Sequence, residues 1–110
     1  MKFYWKPNCS TCRKTRSFLR EQGATLEEID LNGGLTVAEL DSLIGARDYR
    51  LFLNSRNELY RERRMKQQPP TRAQALQLMS RHPNLIKRPI AVKGGKLVLG
   101  WNEAELRSLL

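Results

Sequence analysis

Histidine is nearly absent from this 110-residue chain: His82 stands alone, and cysteine occurs only twice, as Cys9 and Cys12. A structural zinc site takes four nitrogen or sulfur ligands. Neither a four-cysteine site nor one of two cysteines and two histidines can be assembled from one chain, so no metal ligands are expected. No apolar run approaches the ~20 residues of a membrane span. The N-terminus, MKFYWKPNC, places lysines and Pro7 too early for a secretory apolar region. The expectation is a cytoplasmic protein without membrane contact, in a compartment that keeps thiols reduced. The length excludes a two-domain enzyme, and there is no internal repeat or low-complexity tract, so one domain over residues 1–110 is expected. With no long apolar surface run, it reads as a monomer.

Acidic residues are also missing where the chain begins. Residues 1–20 hold Lys2, Lys6, Arg13, Lys14, Arg16 and Arg20 and no Asp or Glu, whereas residues 21–55 carry seven acids against Arg47 and Arg50. Over the whole chain 20 Lys and Arg face 11 Asp and Glu, a net +9. An excess of that size points to an anionic partner: nucleic acid, a phosphate-like oxyanion or an acidic protein. The basic stretch Arg61–Lys66 has neither a base-stacking aromatic pattern nor a helix-turn-helix beside it. It reads as a solvated helix face, with no direct sequence-specific nucleic-acid binding. The first basic block, in contrast, surrounds both cysteines.

Periodicity supplies the elements. Lys2–Trp5 reads as a strand, Lys6-Pro7-Asn8 as a turn, and a helix runs from about Ser10 to Gln22 with Gly23 at its C′ position. Leu26–Asp30 is a second strand, broken by Asn32-Gly33-Gly34. Thr36 and Glu39 form a capping box for a helix with Val37, Leu40, Leu43 and Ile44 on one face. A less regular helical stretch follows and ends at Pro69-Pro70, after which Thr71 and Gln74 cap a helix through Arg81. His82 reads as a helix C-terminal residue. Ile90–Val92 and Leu97–Leu99 form a hairpin across Gly94-Gly95, and Asn102 caps a last helix over Glu103–Leu110. Trp5 and Trp101 read as core aromatics. The order is β-α-β-α-[helical insert]-α-β-β-α, with the insert at about residues 36–81. Without the insert, βαβ followed by ββα remains, the topology of the thioredoxin/glutaredoxin fold: α/β with a mixed sheet.

Cys9 falls at the strand-to-helix turn, where unpaired backbone N–H groups and the helix dipole favour an anion. Only a thiolate attacks, so this placement marks Cys9 as the nucleophile. Cys12 lies one helical turn on and can close a small disulfide ring as the resolving thiol. The same loop can hold an oxyanion through backbone amides and Arg13.

Lys6-Pro-Asn-Cys-Ser-Thr-Cys-Arg-Lys14 resembles the catalytic loop of the arsenate reductase (ArsC) and Spx family. His82-Pro-Asn-Leu-Ile-Lys-Arg-Pro-Ile90 is similar to that family's RPI segment, and Leu99-Gly-Trp-Asn-Glu103 to the closing segment of its Spx-like members. The resemblance covers essentially the whole chain. It implies a thioredoxin-like fold, Cys9 as the cysteine that attacks arsenate or serves a redox switch, and Cys12 as the second switch cysteine. Arg88 becomes an oxyanion-binding catalytic arginine, and Pro89 the proline that is commonly cis opposite the thiol. A further family arginine in the central helical segment has Arg50 and Arg56 as its nearest counterparts, with Asn54 at the aligned position, so Arg56 joins Arg13 and Arg88 as an oxyanion-binding candidate. A third family arginine falls near Gly100. The function implied is thiol-dependent reduction of an arsenate-like oxyanion or a disulfide, with no bound cofactor and with glutathione, glutaredoxin or thioredoxin as electron donor. The other function implied is an Spx-like redox regulator that binds the RNA polymerase α subunit.

Overall fold

The computed structural model describes all 110 residues. They form two compact units: Met1–Leu31 with Arg88–Leu110, and Asn32–Lys87. The first unit holds β1 (Lys2–Trp5), α1 (Ser10–Glu21), β2 (Glu27–Asp30), then β3 (Ile90–Lys93), β4 (Lys96–Leu99) and α5 (Glu103–Arg107). The second holds α2 (Val37–Ile44), α3 (Glu58–Glu62), α4 (Arg72–Arg81) and the 3-10 turns Tyr49–Phe52 and Pro83–Leu85.

The four strands run in the order β2-β1-β3-β4. β1 is parallel to β2 and antiparallel to β3, and β3 is antiparallel to β4, which makes the sheet mixed. Register explains the core. Phe3 lies opposite Ala91, and Ala91 opposite Val98, so three side chains form one row across the sheet face. Leu19 of α1 and the C-terminal Leu106 and Leu109 join that row in one buried cluster, edged by Met1, Trp5, Phe18, Ala24, Leu26 and Trp101. Phe3 and Leu19 are fully buried. The hairpin turns at Gly94-Gly95, and Gly94 has φ +60°, a left-handed conformation that glycine adopts without a Cβ clash.

In the second unit both capping boxes form: Thr36 accepts from Glu39 N–H at 3.1 Å, and Thr71 from Gln74 N–H at 3.2 Å. α4 packs on α2 and on the two 3-10 turns. Tyr49 donates its hydroxyl to Pro70 O at 2.6 Å, and Arg72 pairs with Asp41 at 3.0 Å. Arg61, Arg63, Arg64 and Lys66 are all exposed.

The last helix is shorter than its leucine pattern implies. It ends at Arg107, and the chain then tightens: Leu109 N–H donates to Leu106 O and Leu110 N–H to Arg107 O, both three residues back. That geometry turns Leu109 inward at 2% exposure and leaves Leu110 outward at 46%.

Candidate active site

Sheet pairing puts the end of β1 and the start of β3 together, since Tyr4 lies opposite Ile90. The chain leaving β1 enters the Lys6–Asn8 turn and then α1. The chain entering β3 carries Arg88 and Pro89. Topology therefore brings Cys9, Cys12 and Arg88 to one end of the sheet although 79 positions separate Cys9 from Arg88 in the sequence. The Arg88–Pro89 peptide bond is cis. Pro89 is buried, and its carbonyl accepts from Gly100 N–H at 2.8 Å.

Cys9 is the N-cap of α1, with extended backbone, and its sulfur accepts the backbone N–H of Cys12 at 3.3 Å. A sulfur here takes the place that an Asp or Ser oxygen commonly fills, and the thiolate is the better acceptor for that N–H. The turn is closed by Cys9 N–H donating to Lys6 O at 3.1 Å. Cys9 is partly exposed and Cys12 is buried; both are free thiols. Burial is the largest influence on Cys9 and favours its neutral form. Hydrogen bonds from the Cys12 side chain and backbone N–H, followed by the charge and hydrogen bonding of Arg88, together outweigh it, so Cys9 titrates below an ordinary thiol. Cys12 goes the other way: burial, then its hydrogen bond to Cys9, push its thiol up to about 12. One sulfur is set up to be an anion, and its neighbour is kept as the proton-bearing partner.

The basic block divides by helix geometry. Arg16 and Arg20, one turn apart on α1, both reach Glu28 of β2, Arg16 at 2.8 Å. Lys14 lies over the Trp101 ring at 4.2 Å, and Arg16 over Trp5 at 5.0 Å. Both tryptophans are partly buried against the core. Arg13 donates to Pro7 O at 2.9 Å, which staples the loop ahead of Cys9. Arg88 acts on both sulfurs, and its Nε is buried. Arg56 belongs to the other unit, exposed just ahead of α3, where its backbone N–H donates to Asn54 Oδ1 at 3.1 Å. His82 caps the C-terminus of α4.

In the sequence, Lys6 is one of three bases, with Arg13 and Arg16, close enough to Cys9 to add positive potential. The structure buries it, at 4% exposure, and places its charge with Cys9, Cys12, Asp30 and Arg88. Burial first, then repulsion from Arg88, lowers its pKa against the pull of Asp30 and the two sulfurs. The signal for this is the parallel pairing of β1 with β2. Trp5 lies opposite Asp30, which puts an acid at the strand end from which Lys6 continues. The structure has no grouping of three His, Cys, Asp or Glu side chains suited to a metal ion, and no helix long and apolar enough to cross a membrane.

Residues 4–109 match the family model described as ArsC family. The chain is 33% identical to the uncharacterised protein YusI of Bacillus subtilis, over 92% of this chain and 90% of that one. It is 31% identical to an arsenate reductase of Haemophilus influenzae, over 88% and 87% of the two chains. It is 26% identical to the global transcriptional regulator Spx of Enterococcus faecalis, over 97% and 83%. Among solved structures, an arsenate reductase from Vibrio cholerae superposes with a TM-score of 0.85 at 29% identity, covering 100% of this chain and 98% of that one. The fold is thioredoxin-like, and the chain belongs to the ArsC family.

Proposed function

We propose that the protein is a cytoplasmic thiol reductase of the arsenate reductase type, with Cys9 as nucleophile and Cys12 as resolving thiol. The observation that carries this reading is the division of labour at the head of α1. The partly exposed Cys9 sulfur accepts the Cys12 N–H at 3.3 Å and is favoured as thiolate, while the buried Cys12 keeps its proton. Thiolate at neutral pH is what attack on an oxyanion or a disulfide requires. With arsenate, the Cys9 sulfur bonds to arsenic and a hydroxyl leaves as water. A second thiol, from Cys12 or glutathione, then attacks the Cys9 sulfur. The S–As electron pair passes to arsenic, which departs as arsenite, and two thiols have become one disulfide. Glutathione, glutaredoxin or thioredoxin reduces that disulfide, and no bound cofactor is needed. Arg88 supplies the charge that holds the oxyanion; backbone N–H groups of the first turn of α1 add donors. Arsenite release with glutathione and glutaredoxin, present in the wild type and lost in Cys9→Ser, is the expected result. No release from the wild type overturns it.

A second reading rests on the complete Cys9-x-x-Cys12 pair together with the likeness to Spx. In it the disulfide is a switch, and the partner is the RNA polymerase α subunit. Co-purification with that subunit, sensitive to oxidation and to Cys9→Ser, in a protein that turns over no arsenate, distinguishes this reading from the enzyme.

A further inference from the structure

Every lysine of the chain but one is exposed; Lys6 is 4% exposed. A lysine stem ordinarily carries its ammonium to water, and burying the charge costs several kcal/mol unless other groups compensate. Here the groups that face it are chemically reactive ones. The backbone of Lys6 already holds both cysteines: its carbonyl accepts from Cys9 N–H at 3.1 Å, and its N–H donates to the Cys12 sulfur. Its side-chain charge acts on Cys9, Cys12, Asp30 and Arg88. In attack by Cys9 the N-cap N–H and Arg88 act on the sulfur, and the Lys6 charge adds to theirs.

The second step has a different need. Cys12 is fully buried and, beside a Cys9 thiolate, stays protonated. Once Cys9 is joined to another sulfur, its negative charge is gone, and so is the repulsion it exerts on a Cys12 thiolate. The cations then facing Cys12 are Lys6 and Arg88, with the exposed Asp30 acting on Lys6 to keep it an ammonium.

We infer that Lys6 is the positioning residue of the resolving step: its buried ammonium is the counter-charge against which Cys12 becomes a thiolate and attacks the Cys9 sulfur of a mixed disulfide with a glutathione-type thiol. The inference rests on the proposed roles of Cys9 and Cys12. In the step, Cys12 loses its proton to water and its sulfur bonds to the Cys9 sulfur. The glutathione sulfur leaves with the bonding pair and takes a proton. A mixed disulfide becomes an internal one with no net change of oxidation state.

Oxidised glutathione added to the reduced full-length protein, with acid quenching and mass analysis between pH 6 and 9, separates the two steps. Glutathionylation of Cys9 is read in Cys12→Ser, and conversion to the internal disulfide in the intact pair. Lys6→Met and Lys6→Gln are expected to slow conversion and move its pH midpoint upward. Each unit of rise in the Cys12 pKa slows conversion about threefold, because greater basicity returns part of the lost thiolate fraction. Lys6→Arg restores most of the rate, and Cys9 glutathionylation changes less than conversion does. The readout is a pH profile, so a variant that is merely loosened but folded does not imitate it, and the two neutral replacements guard against one failing to fold. Unchanged conversion in both neutral variants overturns the inference. So does a loss confined to Cys9 glutathionylation, which moves Lys6 to the first step. Failure of Cys9 to form any mixed disulfide in Cys12→Ser overturns the nucleophile reading itself, a result distinct from either of these.

Discussion

The buried Cys12 thiol makes the fold sensitive to alkali in a way that one substitution removes. In the folded chain its pKa is pushed from an ordinary 9.0 up to about 12. Above pH 9 the unfolded chain therefore loses a proton that the folded chain keeps. The unfolded state binds fewer protons, and stability falls as pH rises. One pKa unit is worth about 1.4 kcal/mol, so about 2 kcal/mol is lost to this group alone by pH 10.5, and the limit near pH 12 is about 4 kcal/mol. Cys9 does not mask the effect. Its folded thiol titrates below the ordinary value, so over the assay range only the unfolded chain's Cys9 is still ionising, a small contribution of opposite sign that both proteins share. The assay is urea denaturation under reducing conditions at pH 9 and pH 10.5, on the wild type and on Cys12→Ala. The substitution carries its own constant cost for the lost sulfur, and every other group is common to the two proteins. The difference between the two pH-induced losses isolates Cys12, and the loss should be about 1.6 kcal/mol larger in the wild type. Equal losses in the two proteins would refute the assignment of Cys12 as a buried, proton-retaining thiol.

Three further outcomes test the frame around the site. Leu19→Ala opens a cavity under the Phe3–Ala91–Val98 row and is expected to cost about 3 kcal/mol in the denaturation midpoint analysis. Thr36→Ala removes the oxygen that accepts Glu39 N–H at α2 and should cost about 1 kcal/mol, with Thr36→Ser close to wild type. Glu28 carries a carboxyl lowered chiefly by its hydrogen bond from Arg16, so its contribution is present above pH 4.5 and disappears as pH falls through the depressed folded-state value. Glu28→Gln should flatten that part of the acid limb by about 1 kcal/mol or less, and added salt should shrink the effect.

Local chemistry wrote much of this structure plainly into the chain. Thr36 with Glu39, and Thr71 with Gln74, announce their helices because a capping box is complete within four residues, and both boxes are closed in the folded protein. The turn and the apolar spacing around Cys9 place it at a helix start, and it is the N-cap of α1. The fates of the cations are not legible in this way. Arg16 and Arg20 are near Cys9 in sequence, yet their spacing of one helical turn aims both at Glu28 across the β-α-β unit. Lys6 is legible as a base beside Cys9, but its burial is not: the parallel register brings Asp30 to the same strand end and the start of β3 brings Arg88. Such assignments depend on long-range pairing, which periodicity does not encode. Leu110 fails for a smaller reason: the leucine pattern fits a continuing helix, but hydrogen bonds three residues back rotate the final residues off that pattern.

The central claim is that Cys9, held at the head of α1, is the reactive thiolate and Cys12 its proton-bearing neighbour. A brief pulse of iodoacetamide on the reduced protein at pH 7, followed by peptide mapping of the two cysteines, tests it directly. The expected result is alkyl label on Cys9 well before any on Cys12. Label appearing first on Cys12, or on both sulfurs at equal rates, would contradict it.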